Sequence, residues 1–173
     1  MEPDRQPVLD GELVTLRPTT EADREPLFAV AADPLIWEVH PAHDRWQRPV
    51  FDAFFDAGLA SGGNLTILDK ATGAVIGASR YDGWKPDADE IEIGWTFLAR
   101  AHWGGVYNRE IKALMLGHIH RFVATATFMV GEDNVRSRRA MEKIGGVLRD
   151  ESETRLMAGV PKRHVVYEIR RPA

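Results

Sequence analysis

The sequence Trp103-Gly104-Gly105-Val106-Tyr107-Asn108-Arg109-Glu110 indicates the fold more strongly than any other part of the chain. Its two glycines stand directly before a segment that is predicted to be helical from about residue 107 to residue 120. A glycine turn that opens a helix leaves several backbone N–H groups without an intrahelical partner, at the positive end of the helix dipole. Such a turn favours the binding of a phosphate group.

A second stretch, further along the chain, predicts a basic helix over residues 135–144. Asn134 precedes it, which suits a helix N-cap, and the paired glycines Gly145 and Gly146 end it. Guanidinium groups bind phosphate oxygens well, but a solvated helix face would explain the same charges. The basic side chains of this helix are Arg136, Arg138, Arg139 and Lys143.

The rest of the chain alternates between strand and helix patterns, in the order β-α-α-β-β-β-α-β-α-β-β. Residues 45–60 place Trp46, Val50, Phe54 and Leu59 at helical spacing. The predicted strands are residues 13–18, 65–68, 74–77, 90–98, 124–130, 148–157 and 163–169, and the predicted helices are residues 20–32, 45–60, 107–120 and 135–144.

The length and composition of the chain limit the kind of protein that it can be. A chain of 173 residues with 44% hydrophobic residues fits a single domain over residues 1–173 with one core of ordinary size. The net charge of −4 argues against a protein that coats nucleic acid or an anionic membrane. The chain has no cysteine, which excludes disulfides, thiolate metal sites and a cysteine nucleophile. We therefore expect a cytoplasmic protein with no nucleic-acid or membrane partner.

The order of elements and both motifs resemble the GNAT superfamily of acyl-CoA-dependent N-acyltransferases, specifically the Rim-type branch of ribosomal-protein N-terminal acetyltransferases. The likeness runs from residue 13 to residue 169. In that branch a strand typically reads Glu-Ile-Gly-Tyr, and here it reads Glu92-Ile93-Gly94-Trp95. The turn typically reads Trp-Gly-x-Gly-Tyr-Ala/Asn-x-Glu, whereas here Val106 stands where a second glycine or alanine is usual. A branched residue disfavours positive φ, so either Gly105 supplies the flexibility or phosphate binding is looser than normal.

The resemblance implies an α/β (α+β) fold with a mostly antiparallel mixed central sheet of about seven strands, flanked by about four helices. It implies acetyl-CoA (coenzyme A) as co-substrate and no metal. Backbone groups of residues 104–108 would bind the pyrophosphate, residues 96–98 would pair with the pantetheine arm, and Asn134 would lie beside the pantetheine or the sulfur. The expected cofactor-binding residues are Thr96, Phe97, Leu98, Trp103, Gly104, Gly105, Val106, Tyr107, Asn108, Arg109, Asn134, Ser137, Arg138 and Lys143.

Two carboxylates are candidate catalytic residues. An alkylamine is protonated at neutral pH and must lose a proton before it attacks a thioester. Glu92 is the first candidate for this base, because strand alternation places it on one face with Gly94 and places Ile91, Ile93 and Trp95 on the other. Glu90 lies on the same face as Glu92 and is the second candidate. A surface ion pair is the alternative explanation for both carboxylates.

The position that holds a thiolate-protonating tyrosine in many GNAT enzymes is Met141 here. Another group or water must then protonate the thiolate, which is a good leaving group with a pKa near ~8.5. The chain also offers no candidate nucleophile for a covalent intermediate. These features predict acetyl transfer by direct attack in a ternary complex.

The predicted acceptor is a primary amine, either a protein N-terminal α-amine or a small-molecule amine. The sequence also allows two alternatives. The chain could be a non-catalytic acyl-CoA-binding or sensing module, or the basic helix could be a docking surface for protein or nucleic acid. The resemblance also allows a homodimer, because members of the superfamily often pair.

Overall fold

The computed structural model describes residues 1–173. The strands are β1 (Leu9–Asp10), β2 (Val14–Pro18), β3 (Asn64–Asp69), β4 (Val75–Lys85), β5 (Glu90–Leu98), β6 (Thr125–Gly131), β7 (Val147–Met157) and β8 (Val160–Arg170). The helices are α1 (Arg24–Ala31), α2 (Arg48–Ser61), α3 (Val106–Ile119) and α4 (Val135–Lys143). The predicted α/β class and the four helices are confirmed. The short strand β1, which has no sequence signal of its own, makes eight strands rather than about seven.

All eight strands belong to one sheet, in the order β1-β2-β3-β4-β5-β6-β8-β7. Only the central pair β5 and β6 is parallel, and every other neighbouring pair is antiparallel. A parallel pair needs a crossover connection, and α3 supplies it. The predicted mostly antiparallel mixed sheet is therefore confirmed.

The helices cover both faces of the sheet. On one face, α3 and α4 pack on a core that includes Ile91, Ile93, Met115 and Met141. On the other face, α1 and α2 pack on a second core that includes Phe97. The two cores meet different residues of β5, so this strand lies at the centre of the molecule. No helix is long and apolar enough to cross a membrane.

Helix α2 begins later than the sequence pattern predicts. The predicted start is residue 45, whereas the helix starts at Arg48, with Pro49 in its first turn, where proline is well tolerated. Arg45 and Trp46 therefore lie in the turn that precedes α2. The helix ends at Ser61, and the next residue, Gly62, adopts φ +67°, a left-handed conformation typical of helix ends.

Candidate active site

Strands β5 and β6 separate halfway along their length. They pair only at Glu90 with Thr125, Ile91 with Ala126 and Glu92 with Thr127. The opposite edge of β5 pairs with β4 as far as Leu98. The edge of β5 over residues 93–98 that faces β6 therefore has no strand partner. It can pair with an extended ligand that carries amide groups, and it contains the predicted residues Thr96, Phe97 and Leu98.

A β-bulge at Trp95 changes which side chains face which helices. Trp95 adopts φ +50°, and the register between β4 and β5 shifts at this point. Ile91 and Ile93 lie in the core with α3, but the Trp95 ring turns to the other face, 4.7 Å from the Arg80 Cζ and 5.6 Å from the Arg155 Cζ. The prediction that Trp95 shares a face with Ile91 and Ile93 is therefore wrong. The extra residue of a β-bulge interrupts the alternation of side chains between the two faces of a strand.

The glycine turn is fixed beside the carboxyl end of β5. The indole N–H of Trp103 donates to the carbonyl oxygen of Leu98 at 2.9 Å. Gly104 and Gly105 adopt φ +113° and +99°, which side chains rarely allow. Val106 is the first helical residue and is 61% exposed. The two glycines therefore supply the left-handed conformations, and the branched Val106 side chain does not have to adopt one.

The backbone N–H groups of residues 104–108 have no hydrogen-bond acceptor in the protein. The first paired amide of this region belongs to Arg109, which donates to the carbonyl oxygen of Gly105 at 2.9 Å. No acidic residue lies in the first turn of α3. Successive free amides at the positive end of a 14-residue helix form a site that fits a pyrophosphate.

Glu110, the last residue of the turn motif, connects α3 to the start of the sheet. Its carboxylate accepts hydrogen bonds from the backbone N–H groups of Glu12, Leu13 and Val14, at 2.9, 2.8 and 2.8 Å. We expect Glu110→Ala to lower the free energy of unfolding by about 2–3 kcal/mol, because three amides lose a charged acceptor. Urea unfolding measures this change. Glu142→Ala on α4 is the control, and equal losses in both variants would contradict the assignment.

The start of α4 reaches the glycine turn. The Asn134 side chain is buried and caps the helix by accepting a hydrogen bond from the Ser137 N–H at 3.3 Å. The Arg136 guanidinium lies 4.0 Å from the centre of the Trp103 ring and donates to the carbonyl oxygen of Ile36 at 3.1 Å. The two sequence motifs therefore border one cleft.

The other basic residues of α4 differ in how freely they can bind a ligand. Arg138 donates to the Tyr167 hydroxyl at 3.2 Å and to the carbonyl oxygen of Glu132 at 3.1 Å, so the fold already uses part of its guanidinium group. Arg139 and Lys143 are exposed. Two side chains on this helix, Arg138 and Lys143, are predicted to bind phosphate. Lys143 is more available to a ligand, because the fold does not already use its charged group.

Glu92 is buried and held by Arg155, whose Nη1 and Nη2 atoms lie 3.0 and 2.7 Å from its two carboxylate oxygens. Burial raises the pKa of Glu92 above the usual carboxyl range, although Arg155 opposes this effect. Gly94 and Gly83 lie beside the carboxylate; a Cβ at Gly94 would be 3.2 Å from Oε1. The Glu92 carboxylate has lone pairs that Arg155 does not use. It lies next to Gly94 and Gly83, which have no side chains to cover it.

Glu90 is placed differently from Glu92. It forms ion pairs with Lys85 at 3.0 Å and with Arg149 at 2.8 Å. Burial acts to raise the pKa of Glu90, but the hydrogen bonds from Arg149 and Lys85 outweigh it and lower that pKa. A carboxylate with a lowered pKa is a weaker base, so the structure favours Glu92 over Glu90 for accepting a proton.

Sequence analysis missed Lys112, which lies in the centre of the molecule. Its Nζ donates to Thr96 Oγ1 at 2.8 Å and lies 3.4 Å from Ser79 Oγ. Burial lowers the pKa of Lys112 to about 7. The available signal was spacing, because Lys112 precedes Met115 and Ile119 by three and seven residues and so shares their buried helix face.

Comparison with known proteins agrees with this geometry. Residues 14–147 match the acetyltransferase (GNAT) domain family. A search of curated protein sequences gave no match.

Three solved structures share the fold. A GCN5-related N-acetyltransferase from Brucella melitensis is 20% identical with a TM-score of 0.83, covering 97% of this chain and 80% of its own. A candidate ribosomal-protein-serine acetyltransferase from Vibrio cholerae is 17% identical with a TM-score of 0.75, and the match covers 99% of this chain and 100% of that protein. The microcin self-immunity acetyltransferase MccE, solved with acetyl-CoA and AMP, is 13% identical with a TM-score of 0.77, and the match covers 96% of this chain and 98% of that protein.

The family match spans most of the chain, including the open edge of β5, the glycine turn and the cap of α4. The fold of the three solved structures is the one that the sequence motifs imply. The chain therefore belongs to the GNAT acetyltransferase domain family.

Proposed function

We propose that this protein transfers an acetyl group from acetyl-CoA to a primary amine. The observation that carries the proposal is the run of free amides at residues 104–108, next to the open edge of β5 at residues 93–98. Coenzyme A has a pyrophosphate followed by an extended arm with two amides. The free amides suit the pyrophosphate, and the open strand edge suits the extended arm. The two features are adjacent in the fold, as the two groups are adjacent in the cofactor.

Each part of the cleft has its own role in binding. The amides of residues 104–108 bind the pyrophosphate, and the backbone of Thr96, Phe97 and Leu98 pairs with the pantetheine. Trp103 follows β5 and Asn134 follows β6, so the two residues lie on opposite sides of the opening between these strands. The side chains proposed to bind the phosphate groups are Arg109, Arg138 and Lys143.

The chemistry requires a neutral amine, and acetyl-CoA supplies the acetyl group as an activated thioester. Glu92 accepts the proton of the incoming ammonium group, through a water molecule in the space beside Gly94 and Gly83. Backbone N–H groups near Phe97 polarise the carbonyl group that is attacked. Ser79 is fully buried and hydrogen-bonded to Thr96 at 2.8 Å, so its hydroxyl cannot reach a substrate, and we propose direct attack in a ternary complex.

The proposed acceptors are a protein N-terminal α-amine and a small-molecule amine. The Rim-type resemblance and the name of the Vibrio cholerae relative favour the first. The small-molecule acceptor is tested in the same screen.

Initial-rate kinetics with detection of the acetylated product by mass spectrometry test this function. Intersecting double-reciprocal lines are expected for a ternary complex, and parallel lines would indicate a covalent intermediate instead. Binding of acetyl-CoA without acetylation of any amine would contradict the proposal and favour a non-catalytic binding module.

We expect Glu92→Gln to reduce turnover by about 100-fold at low pH and by much less at high pH. Without a base, the rate depends on the small fraction of unprotonated amine, which grows as pH rises towards the pKa of the amine. The wild-type rate instead falls only when pH drops below the raised pKa of Glu92. The ratio of the two pH–rate profiles measures this difference.

Glu90→Gln is the matched comparison, because it removes the neighbouring carboxylate on the same strand. If Glu92→Gln leaves the shape of the profile unchanged and Glu90→Gln alters it, Glu90 is the base. If neither variant alters the profile, water takes the proton.

A further inference from the structure

The hairpin of β7 and β8 brings an arginine to Glu92 from a distant part of the sheet. Glu92 on β5 pairs with Thr127 on β6, which pairs with Glu168 on β8. Arg155 on β7 pairs with Lys162, six residues along β8 from Glu168. In a flat sheet this offset alone would separate Arg155 from Glu92 by about 20 Å. Their contact at 2.7 Å therefore shows that the hairpin bends out of the sheet, over the face of β5 that carries Glu92.

Arg155 holds the Glu92 carboxylate at both oxygens. Its Nη1 and Nη2 atoms donate to Oε1 and Oε2 at 3.0 and 2.7 Å, while its Nε donates to the Glu153 carboxylate at 2.9 Å. The side chains of Arg155 and Glu92 are 25% and 8% exposed, so water and salt screen their attraction only weakly. A guanidinium group that binds a carboxylate through two parallel hydrogen bonds fixes its orientation as well as its charge.

The titratable and charged groups around this ion pair come from three strands. They are Arg80 and Asp82 on β4, Glu153 and Arg155 on β7, and His164 on β8. Burial raises the pKa of Glu92, the negative charges of Glu153 and Asp82 raise it further, and the Arg155 guanidinium opposes these effects. Burial lowers the pKa of His164, so its imidazole is uncharged at neutral pH. Arg155 is therefore the contact that keeps the pKa of Glu92 from rising further.

We propose that Arg155 is a positioning residue for the proposed base: it fixes the direction of the Glu92 carboxylate and determines the pH range in which Glu92 accepts the proton of the acceptor. This inference rests on the proposed acetyl transfer. Arg155 covers one side of the carboxylate and leaves its other lone pairs beside Gly94 and Gly83, where the water that carries the proton would stand. Arg155 acts through Glu92 and takes no proton itself, because a guanidinium group stays charged.

An NMR titration of the glutamate carboxyl groups, on the protein without cofactor, tests the contact separately from the chemistry. The signal of Glu92 is the one that Glu92→Gln removes. We expect Arg155→Gln to raise the titration midpoint of Glu92 by about 1 pH unit or more, because the contacting cation is lost. Glu153→Gln should lower it by less, because the Glu153 side chain is half-exposed and its charge is screened. Opposite shifts from two residues of one strand would exclude a general disturbance of the hairpin.

Arg149→Gln is the matched control, because Arg149 lies on the same strand but pairs with Glu90, at 2.8 Å. It should leave the midpoint of Glu92 as in wild type. Arg155→Lys, which keeps the charge without the two parallel hydrogen bonds, should give a midpoint between those of wild type and Arg155→Gln. Equal Glu92 midpoints in wild type and Arg155→Gln would overturn the inference.

The pH–rate profile provides the second arm. In Arg155→Gln the acidic limb should move to higher pH by the amount that the NMR midpoint moves, with the KM for acetyl-CoA unchanged. A shifted midpoint with an unmoved limb would overturn the inference, because Arg155 would then act on a carboxylate that takes no proton from the acceptor. Absence of acetylated product in the wild type would instead contradict the proposed function, and the NMR arm would still measure the effect of Arg155 on Glu92.

Discussion

Gly104→Glu is expected to weaken acetyl-CoA binding by about 100-fold or more. The new carboxylate would stand among the free amides of residues 104–108, where it repels a pyrophosphate and competes for the same N–H groups. The residue must also adopt φ +113°, which adds strain for any side chain. Calorimetric titration with acetyl-CoA measures the loss of affinity.

Gly62→Glu is the matched control for this variant. Gly62 also has a positive φ, +67°, with nothing within 4 Å of an added Cβ, but it ends α2 on the opposite face of the sheet from α3. It carries the same added charge and a similar backbone strain. Loss of affinity in Gly104→Glu with normal affinity in Gly62→Glu is the expected pair of results, and unchanged affinity in Gly104→Glu would contradict the phosphate site.

Lys112→Met is expected to stabilise the protein relative to wild type at pH 6 and to lose that advantage as pH rises towards 10. Burial lowers the pKa of Lys112 from 10.5 to about 7. Between these two values the unfolded chain binds a proton that the folded protein does not bind. The wild-type free energy of unfolding therefore rises with pH across this window, by up to about 1.4 kcal/mol per pH unit.

Urea unfolding at pH 6, 8 and 9.5 measures the effect. The hydrogen bonds that methionine cannot make to Thr96 and Ser79 shift stability by a constant amount, so the dependence on pH is diagnostic. Lys162→Met, at an exposed lysine, is the control and should leave the pH dependence as in wild type. A Lys112→Met profile parallel to wild type would show that Lys112 is not desolvated.

Much of the fold could be predicted from the sequence, because periodicity and turn residues specify the elements locally. Strand β5 has the predicted bounds, Glu90–Leu98, and α3 begins directly after the paired glycines. Strand β4 extends to Lys85, beyond the predicted residue 77, because its polar residues Ser79 and Arg80 are buried and hid the strand pattern. Strand β1 is too short to show any alternation.

The site could be predicted only in part. The glycine turn and the cap at Asn134 have local signals, and the structure brings both to one cleft. The bulge at Trp95 could not be predicted, because a tryptophan gives no sign of a positive φ. The burial of Lys112 has a local signal in its helical spacing with Met115 and Ile119. Its hydrogen bonds to Thr96 and Ser79 join residues far apart in the chain, which single-residue patterns do not report.

The most direct test of the central claim is calorimetric titration of the wild-type protein with acetyl-CoA, beside CoA and dephospho-CoA. The expected result is saturable binding of acetyl-CoA and CoA that weakens when the 3′-phosphate is missing, since the exposed Arg139 and Lys143 lie on the helix beside the cleft. Absence of both heat and a thermal shift with acetyl-CoA would contradict the assignment of the turn at residues 104–108 as a cofactor site.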